Sequence, residues 1–146
     1  MVVFGEIDVR VHLADSRTQS RRSMEFVGDY VKQSRLLAKG LRAALLVVVV
    51  PIPPGDSFAD APGFPRSGTL TERITAFGVL RQELETALRN TEATPPAVVL
   101  DCTDRLADSD GSLRVDLTDD GCRVNHTGAQ AAQDCMRTLR LLASSH

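Results

Sequence analysis

The run Leu45-Leu46-Val47-Val48-Val49-Val50 limits what this chain can fold into more than any other feature. It shows no alternation of apolar and polar residues, so it reads as a strand covered on both faces, the pattern of a parallel sheet. Pro51, Pro53 and Pro54 stop it, because proline has no N–H to give to a ladder. Parallel strands need crossover connections, and helical periodicity stands on both sides of this run.

From about Ser20 to Leu41, the apolar residues Met24, Val27, Tyr30, Val31 and Leu37 recur at steps of three and four, which puts them on one helical face, with Gly40 near its end. Thr69-Leu70-Thr71-Glu72 has capping-box spacing, and Leu70, Ile74, Phe77, Leu84 and Leu88 follow at helical intervals. Pro95 and Pro96 break that helix, and Ala97 to Leu100 reads as another buried strand with Asp101 at its carboxyl end. Met1 to Phe4 reads as a short strand ended by Gly5, while the alternating Val9, Val11 and Leu13 fit either its extension or a loop. Ala129, Ala132, Met136, Leu139 and Ala143 mark a last helix, capped by Asn125 or Thr127. The order strand, helix, strand, helix, strand, helix predicts a single α/β domain over 1–146, a three-layer parallel sheet with flanking helices.

Composition narrows the function classes. A chain of 146 residues is long enough for one core, and 42% hydrophobic with 25% charged residues is ordinary for a folded domain. The net charge of −2 gives no reason to expect nucleic acid or an anionic membrane as partner, and the arginines are scattered, as on a solvated surface. The longest apolar run, Ala43 to Val50, is far shorter than the ~20 residues of a membrane span. No basic segment precedes an apolar one at Met1, so the expected compartment is the cytoplasm. Cys102, Cys122 and Cys135 show no C-x-x-C spacing, and the expectation is three buried or half-buried thiols with neither a disulfide nor a zinc site.

In open parallel sheets, ligands bind outside the carboxyl ends of the strands. Those ends fall here at Gly5 to Asp8, at the long Pro51 to Ser67 loop, and from Asp101 onward. The segment Asp120-Gly121-Cys122-Arg123-Val124-Asn125-His126-Thr127-Gly128 resembles the closing block of the SGNH/GDSL hydrolases, an Asp-x-x-His followed by an Asn and a Gly that opens the last helix. Asp120, Asn125 and Gly128 match, and Arg123 stands in place of the His. The resemblance implies that Asp120 is the acid of a Ser-His-Asp triad and that Arg123 occupies the base position, where a guanidinium cannot take a proton near neutral pH. Gly5-Glu6-Ile7-Asp8 is similar to the family's Gly-x-Asn-Asp, with Ile7 where the Asn would donate to an oxyanion. Gly5, Asp8, Arg10 and His12 would then line the site, Arg10 giving positive charge to the oxyanion in place of the missing amide.

The same resemblance implies a flavodoxin-like SGNH sheet of order 2-1-3-4-5 that begins here at its third strand, without the block in which a Gly-Asp-Ser turn presents the nucleophile. Gly55-Asp56-Ser57 does occur, but between Pro54 and Phe58 it has no strand-to-helix setting and reads as a loop tripeptide. His126 has two readings, a substitute base one helical turn beyond Arg123 or a first-turn residue beside a cap. The aspartates from Asp101 to Asp120 fail the calcium-loop test, because Gly111 at the sixth position puts Leu106 and Leu117 where carboxylates are required. They read as turn formers.

The expectation that follows is an SGNH/GDSL-hydrolase-like protein whose parent activity is ester hydrolysis, extending to deacylation of a carbohydrate, and which is inactive alone. Its catalytic candidates are Asp120, Arg123, Asp8 and His126, and its substrate-binding candidates are Gly5, Arg10, His12 and Asn125. No metal or organic cofactor is implied. The alternative is a non-catalytic α/β module that uses Arg10 and Arg123 to hold a small anionic ligand or a partner chain. The first strand would carry a bare outer edge, which predicts self-association.

Overall fold

The computed structural model describes residues 2–3, 19–55, 68–89, 94–119 and 124–143, with side chains in 25–55, 68–89, 94–119 and 124–137. The elements run β1 (Val2–Val3), α1 (Gln19–Gly40), β2 (Leu46–Val49), α2 (Leu70–Leu88), β3 (Ala97–Leu100), α3 (Thr103–Leu106), a 3-10 turn η1 (Val115–Leu117) and α4 (His126–Ala143). The chain is α/β. The strands form a parallel sheet of order β1-β2-β3, with Val2 opposite Val48 and Leu46 opposite Ala97.

Alternation along β2 divides the interior in two. Leu46 and Val48, with Val50 just beyond the strand, are buried with Val27, Val31 and Ala38 of α1 and with Phe77, Leu80, Leu84 and Leu88 of α2. Val47 and Val49 point the other way and pack against a second cluster, built on Leu100, Cys102, Leu106, Leu113 and Leu117 and joined by Ala131, Cys135 and Met136 of α4. Helices therefore cover both faces. Leu80 and Leu84 are completely buried, a burial that stabilises by roughly 1.5–3 kcal/mol per side chain.

Local chemistry explains where the helices start and stop. Thr69 and Glu72 form the capping box: Glu72 N–H donates to Thr69 Oγ1 at 3.2 Å, and Thr69 N–H donates to Glu72 Oε2 at 2.7 Å. At the end of α1 the left-handed residue is Arg42, φ 52°, and not Gly40. Arg42 N–H donates to Lys39 O at 3.0 Å and Ala43 N–H to Ala38 O at 2.9 Å, the paired bonds of a Schellman motif.

Three expectations need correction. Ala97–Leu100 was expected to be buried, but β3 is the last strand in the sheet order, with Val98 39% exposed. The stretch from Asp101 onward, read in the sequence only through its turn-forming aspartates, also holds α3, η1 and the antiparallel bridges Ala107↔Leu113 and Thr118↔Val124. Nor do the arginines all lie in solvent, for Arg73 on the first turn of α2 is 3% exposed. No helix among the described residues is long and apolar enough to cross a membrane.

Candidate functional site

The carboxyl ends of β2 and β3 lead into adjoining segments. Beyond β2, Pro54 O accepts from Leu113 N–H at 2.9 Å, which lays the 51–55 segment along the chain that follows α3. Arg73 reaches the same region from α2: Nη1 donates to Gly68 O at 2.8 Å and Nη2 to Gly55 O at 3.4 Å. One buried guanidinium thus joins the two ends of the 56–67 stretch.

At the carboxyl end of β3, Asp101 is held from two sides. Its Oδ2 accepts from Arg81 Nε at 2.7 Å and also from Arg81 Nη2, while Oδ1 accepts from Thr103 N–H at 2.8 Å. These bonds fix the exit from β3 into α3. The neighbouring Cys102 is joined to Cys135 of α4 by a disulfide, Cα to Cα 6.0 Å, where free thiols were expected. Their burial is as expected, Cys102 inside and Cys135 half-buried, but a separation of 33 residues gives no sequence signal that the two meet.

Further on, the aspartates form turns. Asp110 Oδ1 accepts from both the N–H and the hydroxyl of Ser112, which holds its carboxyl below the usual carboxylate range. Asp116 is lowered as well, first by its hydrogen bonds from the Arg114 guanidinium. No group of three or more His, Cys, Asp or Glu that would hold a metal ion occurs among the described residues.

The Asn-x-x-Gly end of the motif block has a defined geometry. An antiparallel bridge pairs Thr118 with Val124. Asn125 then caps α4, its Oδ1 accepting from Gly128 N–H at 3.0 Å. Its Nδ2 donates to Asp116 O and to Asp119 Oδ1, each at 3.2 Å, so the whole carboxamide ties the helix start to the segment before it. Gly128 is buried there, and a Cβ on it would lie 2.5 Å from Leu117 O and 2.8 Å from Val124 Cβ. Only glycine lets the first turn of α4 come this close to η1.

His126 is the first residue of α4 and is exposed, and its ring makes no hydrogen bond or ion pair among the described residues. Of the sequence candidates, then, only Asn125 and His126 lie among the described residues, and they are neighbours along the chain. Asp120 and Arg123 lie outside the described residues, although both neighbours of the 120–123 gap, Asp119 and Val124, are fixed. Gly5, Asp8, Arg10, His12 and Ser57 also lie outside them. Sequence reasoning missed Arg73, Arg81 and the disulfide. Asp101 with an arginine at any distance along the chain is no signal by itself.

No protein-family model matches the chain, and no curated protein matches it. Among solved structures, the chain is similar to one described as "The structure of a putative platelet activating factor from Streptococcus pneumonia", at 16% identity and a TM-score of 0.61. The match covers 94% of this chain and 56% of that one, so the chain spans little more than half the length of that structure. At such identity the likeness is one of fold alone, and it agrees with the α/β arrangement of the described residues.

Proposed function

We propose that these residues form the acid-side part of an SGNH/GDSL-like ester hydrolase domain, a three-layer flavodoxin-like sheet in which β1, β2 and β3 stand for the family's last three strands. The observation that carries this reading is the Asn125–Gly128 frame, in which Asn125 caps α4 and binds Asp119 while Gly128 packs closely on Leu117, the setting that the Asn and Gly of the family's closing block would need. The resemblance gives Asp120 the role of triad acid. Gly5, Asp8, Arg10 and His12 line the carboxyl end of the sheet in this reading, and the substrate class is a small ester, including an acylated carbohydrate. The fold likeness to the solved structure from Streptococcus pneumonia is compatible with it.

Arg123 in the base position makes the chain inactive by itself, because a guanidinium stays protonated and cannot activate a serine. The test is hydrolysis of an activated acetyl ester by the purified chain and by its Ser57→Ala and Arg123→His variants. We expect background rates in all three. Hydrolysis by the parent chain that disappears in Ser57→Ala would show Ser57 to be a nucleophile and overturn the reading of Gly55-Asp56-Ser57 as a loop tripeptide.

A further inference from the structure

We infer that Cys102 and Cys135 form a reversible thiol–disulfide site, entered at Cys135, whose state sets how firmly α4 holds the frame around the 119–123 segment. The inference is independent of any esterase activity. It stands on the unequal surroundings of the two sulfurs and on what the bond connects.

Cys102 is 7% exposed and lies in the cluster of Leu100, Leu106, Leu113 and Leu117, beyond the reach of a dissolved thiol. Cys135 packs on the rim of that cluster from α4 and is half-buried, the more accessible of the two. Thiol–disulfide exchange proceeds by in-line attack of a thiolate on one sulfur, so access selects Cys135. A small-molecule thiolate attacks Cys135 Sγ, the protein S–S bond breaks, and its electron pair leaves on Cys102 Sγ, which takes a proton from water. A second thiolate then attacks the outer sulfur of the mixed disulfide and releases Cys135, which is protonated in turn. Two small thiols become one small disulfide, and the protein pair gains two electrons and two protons. Oxidation is the reverse, with a small disulfide as oxidant: Cys135 takes the adduct and Cys102, already poised against it, resolves the adduct to the protein disulfide.

The bond spans the β3 exit and the middle of α4. The amino end of that helix carries Asn125, which binds Asp116 and Asp119, and Gly128, which packs on Leu117. Fixing the middle of α4 to β3 keeps its first turn seated on η1. In the dithiol form this seat relies on packing and the cap alone.

The test uses the full chain with Cys122→Ser, so that only the pair reports. With oxidised glutathione, C102S should acquire a glutathionyl adduct at Cys135 at least about tenfold faster than C135S acquires one at Cys102. Equal rates, or a faster adduct at Cys102, would overturn the assignment of the entry sulfur. If either serine variant loses its circular dichroism spectrum, the order is read instead in the C122S protein. Acid quenching during reduction by reduced glutathione, followed by peptide mapping, should then find glutathione on Cys135 and not on Cys102. The Gly128 and Ala129 amides should exchange hydrogen roughly tenfold faster in the dithiol form. Unchanged exchange would overturn the link to the frame, and a pair that resists reduction until the protein unfolds would overturn reversibility.

Discussion

Gly128 shows what a single residue can dictate in this chain. It is buried against the Leu117 carbonyl and the Val124 side chain, at distances a Cβ cannot occupy without movement of backbone. We therefore expect Gly128→Ala to destabilise the protein by about 1–3 kcal/mol, the usual cost of forcing an extra carbon into a filled space. Thermal unfolding followed by circular dichroism checks this, and an unchanged midpoint would mean that the first turn of α4 has room to shift. The motif glycine was legible in the sequence as a match to a pattern, but its reason was not, because the obstructing carbonyl comes from eleven residues earlier (128 − 117). Arg73 was illegible for a similar cause. Composition assigns arginine to the surface, whereas this one is buried and donates to the carbonyls of Gly55 and Gly68, which lie far apart along the chain.

Among the elements, those with strong local signals were readable and those made by tertiary contact were not. β2 and the helices α1, α2 and α4 follow from unbroken apolar runs and three-to-four spacing, and the Thr69–Glu72 box is written in four consecutive residues. Thr69→Ala removes that box and should cost about 1 kcal/mol in a denaturant titration, while Thr69→Ser should keep nearly all of it. Equal midpoints for the alanine and parent proteins would show that α2 is held by packing alone. By contrast, α3 and η1 have no periodicity to announce them, being 4 and 3 residues long. They exist because Leu106 and Leu117 are drawn into the second cluster and because Asp101 fixes the turn before α3. The candidate site was legible only as sequence resemblance. Its frame was half-visible in Asn125 as a cap, whereas the bonds from Asn125 to Asp116 and Asp119 depend on the path of the chain between them.

At the scale of the whole molecule, β1 pairs with β2 on one side, and no described strand pairs with its other side. α1 adds exposed Leu36 and Leu37, with Leu41 and Leu45 exposed just beyond its end. We expect the purified chain to self-associate, with a concentration-dependent sedimentation coefficient; a single monomer species over a wide concentration range would rule this out. The grip of Arg73 on Gly55 and Gly68 has a different kind of consequence. It fixes the two ends of the 56–67 stretch independently of the residues between them. The exit from β2 and the start of α2 are thereby tied to one another through a single side chain, so that the two neighbouring elements share an anchor that the covalent path between them does not supply.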